Sequence, residues 1–139
     1  MLIAAAEKRS RRWQKILLES AQQSRRLRTP DLAAVLKPDA AFEGASQTFQ
    51  RIVLSERPEA PAIRSVLRQK QGAASSAPTN AGAPIEVALA VGPEGGWTDE
   101  EIQTARQAGY LEVSLGNNIL RTETAVIAAL AILNYALGD

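Results

Sequence analysis

The chain has 139 residues, of which 45% are hydrophobic and only 4% aromatic, and this predicts one globular domain with a close-packed aliphatic core. It contains no cysteine and no histidine. These absences exclude disulfides, thiol catalysis and an imidazole general base, so any chemistry must use carboxylates, arginine, hydroxyls or backbone groups, and we expect no metal site. The longest strongly apolar stretch, 125–133, is too short to cross a bilayer, and no signal sequence opens the chain. We therefore expect a cytoplasmic protein.

The net charge of +1 conceals a basic cluster near the start of the chain. Eight of the 16 lysines and arginines lie between Lys8 and Arg28, together with one acid, Glu19. Such clustering is typical of a surface that binds phosphates, although a solvated helix face explains it equally well. The candidate contacts are Arg9, Arg12, Lys15, Arg25, Arg26 and Arg28.

The first third of the chain reads as helical. Residues 2–27 carry a stripe at three- and four-residue spacing, which predicts one helix with a buried face. The stripe consists of Trp13, Ile16, Leu17, Ser20, Ser24 and Leu27. Thr29-Pro30 should end this helix, because the residue before proline avoids the α region. Asp31 can then cap a short turn through Leu36, which Pro38 would stop.

Strands and helices alternate in the remaining chain. Apolar runs predict strands over 48–54, 87–91 and 111–115, and helices are expected over 61–69, 98–108 and 122–137. Thr98 and Glu101 form a capping box, Gly109 ends that helix, and the alanine-rich last helix should be buried on most sides. We expect a mobile surface loop over about 70–84. The alternation predicts an α/β fold with a mostly parallel sheet and flanking helices.

A loop follows each predicted strand. Ser55-Glu56-Arg57-Pro58 follows the first, Gly92-Pro93-Glu94-Gly95-Gly96 the second, and Gly116-Asn117-Asn118 the third. Ligands of open α/β sheets bind beyond the carboxyl ends of the strands, so these loops should face one pocket. Glycines remove Cβ atoms where a backbone must approach a ligand. A small planar ligand would suit such a pocket.

Two of these motifs, taken together, are specific. Gly92-Pro93-Glu94-Gly95-Gly96 with 98–101, followed by Ser114-Leu115-Gly116-Asn117-Asn118-Ile119-Leu120-Arg121-Thr122-Glu123-Thr124-Ala125, closely resembles the SPOUT class of RNA methyltransferases. Within that class, the chain resembles the family that methylates N3 of a uridine in 16S ribosomal RNA. Leu54-Ser55-Glu56 matches the first cofactor loop of that family, and Arg12-Trp13-Gln14-Lys15-Ile16 matches the helix that precedes its core.

The resemblance implies S-adenosylmethionine as methyl donor, a C-terminal trefoil knot, a homodimer, and the small ribosomal subunit as RNA partner. The basic cluster, with Asn117 and Asn118, would contact RNA. The resemblance also implies that the amino-terminal RNA-binding barrel and the first strand-and-helix unit of the family are absent, so we expect residues 1–139 to be one incomplete domain. The implied cofactor contacts are Leu54, Ser55, Glu56, Gly92, Pro93, Glu94, Gly95, Leu115, Gly116, Ile119, Leu120, Arg121, Thr124 and Ala125.

Arg121 and Glu94 are the candidate catalytic residues. The guanidinium of Arg121 could stabilise negative charge on the uracil oxygens, and it is too basic to be the proton acceptor. Glu94 could orient the sulfonium or accept a proton, but a carboxylate in a turn also bonds neighbouring amides. Asn117 and Asn118 could read a base edge or simply form a tight turn. The acids of 99–101 are better explained as helix caps.

Three other functions remain open at this point. A SPOUT enzyme could act on another RNA position, or the chain could be a non-catalytic RNA-binding module. A phosphate-binding protein is the least favoured alternative, because the glycine loop lacks a following Gly-Lys-Ser or Gly-Lys-Thr and acids crowd the next helix start.

Overall fold

A three-stranded parallel sheet forms the centre of the larger of two units, Met1–Lys37 and Pro38–Asp139. The computed structural model describes residues 2–45, 50–67 and 86–137. In chain order the elements are α1 (Leu2–Gln23), α2 (Pro38–Gly44), β1 (Gln50–Leu54), α3 (63–67), β2 (Val87–Ala90), α4 (Asp99–Gln107), β3 (Leu111–Val113) and α5 (Thr122–Leu137). The strand order in the sheet is β2-β1-β3. The predicted α/β class with a parallel sheet and helices is confirmed.

Both faces of the sheet are covered, which explains why its strands are nearly continuous apolar runs. Successive side chains of β1 point to opposite faces. On one face, Ile52 and Leu54 pack with Val113 and with residues of α3 and α5. On the other face, Val53 packs with Phe42 of α2 and with residues of α4. The sheet is therefore the middle of three layers.

All three predicted strands are present, and the second and third end before their predicted last residues, 91 and 115. The predicted start of the first strand, 48–49, lies outside the described residues, as does the loop expected over 70–84. The third strand ends at Val113, and Ser114 forms an isolated parallel bridge with Ala62. This bridge extends the sheet by one residue toward the carboxyl end.

The helix signals at α4 are confirmed. The Thr98 hydroxyl accepts a hydrogen bond from the Glu101 amide at 3.2 Å, and the Glu101 carboxylate accepts one from the Thr98 amide at 2.9 Å. Asp99, Glu100 and Glu101 occupy the first turn, as expected for acids at the positive end of a helix dipole. At the other end, Gly109 adopts a φ of +81°, which reverses the chain toward β3.

Two boundaries in the first third of the chain were predicted wrongly. The helix ends at Gln23 instead of Leu27, because the Arg26 amide donates to the Ala21 carbonyl at 2.9 Å while Arg25 turns left-handed at φ 55°. The expected short turn over 31–36 is not helical. Pro38 starts a helix instead of stopping one, because its fixed φ and missing amide suit the first helical turn.

The predicted burial of two helical faces is also wrong. Trp13, Ile16 and Leu27 of the first stripe are exposed. In α5 only Ala129 and Leu133 are buried, and Ile127, Leu130 and Tyr135 are exposed. The sheet covers one side of α5 only, since the described residues place no element over the opposite side. None of the helices in the described ranges is both long and apolar enough to cross a membrane.

We predict that Gly109→Ala destabilises the fold by about 1–2 kcal/mol, the usual cost of placing a non-glycine residue in the left-handed region. The new Cβ would also lie 2.6 Å from the Arg51 guanidinium, although that flexible side chain can move aside. Chemical denaturation would measure the difference.

Gly44→Ala is the matched control, because Gly44 ends α2 and a Cβ there meets no atom within 4 Å. Its stability should be unchanged or slightly raised, since alanine is the better helix former. Equal stability of the two variants would contradict the conformational role of Gly109.

Candidate functional site

A cavity of about 380 Å³ lies at the carboxyl ends of the three strands. Three loops line it, and we call them the first loop (55–58, after β1), the second loop (91–97, after β2) and the third loop (115–120, after β3). The start of α5 completes the lining with Thr122 and Ala125. The expected convergence of the three loops on one pocket is therefore found.

Trp97 joins the first and second loops. Its indole nitrogen donates a hydrogen bond of 2.9 Å to the Leu54 carbonyl at the end of β1. A Cβ at Gly92 would lie 3.0 Å from that indole nitrogen, so any side chain there would force the ring to shift by a few tenths of an ångström. The ring also contacts Phe42, with centroids 5.6 Å apart, and Phe42 in turn contacts Tyr110 at 5.0 Å. The second loop is thus anchored in the aromatic part of the core.

Tyr110 contributes packing to this aromatic group. Burial raises the pKa of its phenol above the ordinary value, and the nearby positive charge of Arg51 partly opposes that rise. The phenol therefore stays neutral at physiological pH.

Ser114 joins the end of β3, just before the third loop, to the chain that follows the first loop. Its amide donates to the Pro61 carbonyl at 2.8 Å, and its carbonyl accepts from the Ile63 amide at 2.9 Å. Its hydroxyl donates to the Ala60 carbonyl at 3.2 Å. Gly116 follows with a φ of +135°, a conformation that side chains disfavour. These hydrogen bonds fix the start of the third loop relative to the chain around Pro61.

The second loop is also joined to α5. The Thr122 hydroxyl donates to the Gly92 carbonyl at 3.4 Å, a long bond that links the first residue of α5 to the glycine turn. Because Thr122 and Ala125 line the cavity, the buried side of α5 fixes one of its walls.

Four charged side chains form a network beside the cavity. Arg57 of the first loop forms an ion pair with Asp99 at the start of α4, and its Nε lies 3.8 Å from Oε1 of Glu112 in β3. Oε2 of Glu112 accepts hydrogen bonds from Arg106 of α4, with a distance of 3.1 Å to Nε. The Glu112 side chain is only 5% exposed and lies against these two arginines.

Most of the predicted cofactor contacts line this cavity. They are Leu54, Ser55, Glu56, Gly92, Pro93, Gly95, Leu115, Gly116, Ile119, Leu120 and Ala125, and the predicted RNA contacts Asn117 and Asn118 line it as well. The structure brings these residues together, and the ligand of each one stays a prediction.

Three predicted residues are not among those that line the cavity in the described part of the chain. Glu94, Arg121 and Thr124 are exposed. In sequence, Glu94 lies between the cavity-lining residues Pro93 and Gly95. Arg121 lies in the same way between Leu120 and Thr122. Both are therefore exposed residues next to the cavity lining in sequence, and we call these two positions the rim.

Six cavity-lining residues were not named as site residues from the sequence: Arg57, Pro58, Val91, Gly96, Trp97 and Thr122. Three of them, Arg57, Pro58 and Gly96, belong to loops that the sequence predicted to face the pocket. Trp97 follows the glycine turn directly, and a large side chain there is a usable signal, since an aromatic ring next to glycines often fills the space they leave. Arg57 carried no local signal, because both of its partners are distant in sequence.

The six basic candidates lie in the first unit. Arg9, Arg12 and Lys15 belong to α1 and the other three follow it, and all six are exposed. Lys15 pairs with Glu19 at 3.7 Å, one turn further along the helix. Their contact with RNA stays a prediction. Within the described ranges, no group of three or more acids is arranged to hold a metal ion.

Two relatives of known identity that are similar in sequence to this chain have the same name. Ribosomal RNA small subunit methyltransferase E from Synechocystis is 37% identical over 137 residues, which is 98% of this chain and 42% of that protein. The protein of the same name from Mesomycoplasma hyopneumoniae is 34% identical over 121 residues, or 87% of this chain and 46% of its own length. The chain thus spans slightly less than half the length of these relatives.

Solved structures agree with the fold. Ribosomal RNA small subunit methyltransferase E from Neisseria gonorrhoeae, bound to S-adenosylmethionine, superposes with a TM-score of 0.76 at 30% identity, over 94% of this chain and 49% of that one. A putative methyltransferase from Legionella pneumophila, also bound to S-adenosylmethionine, gives a TM-score of 0.76 at 31% identity, over 96% of this chain and 48% of that one. A family model described as an RNA methyltransferase domain matches residues 2–134. This chain belongs to the RNA methyltransferase domain family.

Proposed function

We propose that this chain is the cofactor-binding and catalytic part of an enzyme that transfers a methyl group from S-adenosylmethionine to N3 of a uridine in 16S ribosomal RNA. The observation that carries the proposal is the single cavity that three strand-end loops form together. Similarity to relatives with the small-subunit name supports the substrate, and two similar structures with bound S-adenosylmethionine support the cofactor.

The cavity fits such a cofactor in size and in lining. Its volume of about 380 Å³ lies in the range of small-molecule sites. Gly95 lines it, and a Cβ there would meet no atom within 4 Å, so the glycine leaves open space. Glu56 and Arg57 are the charged residues that line it in the described chain, and the guanidinium of Arg57 is already paired with Asp99.

The backbone of the third loop, at Leu115, Ile119 and Leu120, would hold the adenine. Gly92 and Gly95 of the second loop, with Glu94 at the rim, would border the methionine part. When bound, the cofactor supplies an electrophilic methyl group on its sulfonium. The residues of the chain have to hold the uracil ring in line with that methyl group and exclude water from it.

Arg121 would act on the RNA side of the reaction. Loss of the N3 proton would spread negative charge over N3 and the ring oxygens of uracil. This charge would be neutralised as N3 bonds to the methyl carbon and sulfur keeps the electron pair of the broken carbon–sulfur bond. A guanidinium at the rim of the cavity would stabilise that charge without itself exchanging protons. Glu94 lies on the same rim and would orient the reacting groups or accept the N3 proton.

We also infer that residues 115–124 pass through a trefoil knot, that the chain forms a homodimer and that it acts in the cytoplasm. The bond from Thr122 to Gly92 supports the first inference, since it holds the end of this segment against the second loop. The exposed apolar residues Ile127, Leu130 and Tyr135 of α5 support the second, because a second copy could cover them.

Gly95→Val should weaken binding of S-adenosylmethionine by at least tenfold, which corresponds to about 1.4 kcal/mol. The side chain would occupy space next to the cavity, while the positive-φ positions Gly96 and Gly116 remain unchanged. Isothermal titration calorimetry measures the change, and the thermal midpoint shows whether the fold is intact. Unchanged affinity would exclude the second loop from the cofactor site.

Arg121→Ala should lower the rate of methyl transfer to small-subunit RNA by about a hundredfold, the usual effect of removing one donor from developing charge. Affinity for S-adenosylmethionine should persist, because Arg121 is not among the residues that line the cavity in the described chain. Nucleoside analysis of the RNA product identifies the methylated position, and an equivalent change at the exposed Arg64 of α3 is the control. Normal turnover of Arg121→Ala would contradict this role.

The basic segment after α1 should contribute to RNA binding through phosphates. Replacing Arg25, Arg26 and Arg28 together by glutamine should make the log-log slope of affinity against salt shallower by about 2, as expected for three phosphate contacts to single-stranded RNA. Filter binding at several salt concentrations measures the slope, with Arg64→Gln as the comparison. A slope equal to that of the unchanged protein would favour the solvated-face interpretation.

A further inference from the structure

One guanidinium is connected to the chain segments that carry all three loops of the cavity. Arg57 is itself part of the first loop and lines the cavity. Its partner Asp99 begins α4, two residues after the second loop. Its other neighbour, Glu112, lies in β3, three residues before the third loop. Among the described residues, no other charged side chain forms ion pairs that connect the chain next to all three loops.

Arg57 and Arg106 both face the Glu112 carboxylate, but they interact with different oxygens of it. Arg106 donates two hydrogen bonds to Oε2, at 3.1 Å from Nε and 2.5 Å from Nη2. Oε1 is buried and accepts no hydrogen bond in the described structure, and it faces Arg57 Nε at 3.8 Å. Arg106 therefore supplies the hydrogen bonds to one oxygen of the buried carboxylate, and Arg57 adds positive charge beside the other oxygen without a hydrogen bond.

The side-chain environments of the two arginines differ as well. Arg106 extends from the last turn of α4 and is not among the residues that line the cavity in the described chain. The Arg57 side chain is 26% exposed and stands at the cavity wall. Loss of Arg106 would leave a buried charge without hydrogen bonds, which destabilises a fold strongly. Loss of Arg57 would leave Glu112 bonded to Arg106 and would release the first loop.

We infer that Arg57 is a positioning residue for the methyl donor: it fixes the first loop relative to the second and third loops, so that the cavity is already shaped for S-adenosylmethionine before the cofactor binds. This inference rests on the proposed function. A preformed site binds its ligand more tightly, because no binding energy is used to order the loops. Arg57 contributes to cofactor affinity, whereas Arg106, on the same carboxylate, contributes to fold stability.

Arginine is required at this position for a geometric reason. Its planar group presents Nη2 to Asp99 and Nε toward Glu112 at the same time. The ammonium of a lysine is one point charge and would pair with one of the two carboxylates. Lysine would keep the charge of the site and lose the connection between its two sides.

The experiment compares Arg57→Lys and Arg57→Ala with Arg106→Ala in the full chain. Calorimetry gives the dissociation constant for S-adenosylmethionine, thermal unfolding gives the midpoint, and steady-state methylation gives KM and kcat. Both Arg57 variants should bind the cofactor roughly tenfold more weakly, equivalent to about 1.4 kcal/mol, with little change in midpoint. Their KM for the cofactor should rise while kcat at saturation stays near that of the unchanged protein. Arg106→Ala should show the reverse pattern, with a lower midpoint and nearly normal affinity below it.

Asp99→Asn tests the outer partner, with Glu100→Gln as its control on the next residue of the same helix turn. The first should weaken cofactor binding a fewfold, and the second should leave it unchanged, although both remove one acid from the start of α4.

Normal cofactor affinity in Arg57→Lys would overturn the inference. So would parallel losses of affinity and midpoint in the Arg57 and Arg106 variants, because that is the behaviour of a purely structural network. If the unchanged protein does not bind S-adenosylmethionine, the proposed function fails and the inference fails with it. If the unchanged protein binds and the Arg57 variants bind equally well, only the role of Arg57 is refuted.

Discussion

The parallel pairing of three strands is the constraint on which the site depends. Because β1, β2 and β3 run in the same direction, their carboxyl ends meet at one edge of the sheet, and the loops that follow them must share the space beyond it. Residues far apart in sequence, such as Ser55 and Asn118, come to line one cavity in this way. An antiparallel strand in the same place would carry its loop to the opposite edge. The direction of pairing therefore determines the site more directly than any one side chain does.

Different interactions connect each pair of loops. The Trp97 indole joins the second loop to Leu54, Ser114 joins β3 to the chain around Ala60 and Pro61, and Arg57 reaches toward both α4 and β3. The first two connections end on backbone carbonyls, and Ser114 also uses its own amide and carbonyl, which persist when its side chain is changed. The third connection has charged side chains on both sides, so a single substitution of either partner can weaken it while the sheet persists.

Local signals predicted the elements of this fold well, and the reasons are visible in individual residues. The capping box of Thr98 and Glu101 and the positive φ of Gly109 are determined by a few neighbouring residues, so the sequence specifies them directly. Pro38 was misread because proline both ends and begins helices, and the outcome depends on the residues after it. Here Asp39 and the burial of Phe42 against Trp97 and Tyr110 favour a new helix.

Tertiary relations were harder to predict than local ones. The apolar character of α5 indicated burial on most sides, but apolarity alone does not say whether the covering surface belongs to the same chain. The cavity lining was predictable where glycines and strand ends mark it, as at Gly92 and Gly116. Arg57 was not predictable, because its partners lie 42 positions away, at Asp99, and further still, at Glu112. Contacts over such separations require the register of β1 with β3, which no local pattern encodes.

In the proposed function, Glu94 and Arg121 act on the RNA substrate at the rim of the cavity, and the interior of the cavity holds the methyl donor. A uracil ring in RNA remains tied to its backbone, so it must approach a cofactor cavity from the solvent side, where these exposed residues lie. A chain without histidine has no side chain whose ordinary pKa matches neutral pH. Stabilising the anionic form of uracil by a guanidinium lowers the demand on the proton acceptor, and a carboxylate or a water molecule can then suffice. In the proposed reaction, both residues would therefore act from the rim, and the interior would provide shape and backbone contacts for the methyl donor.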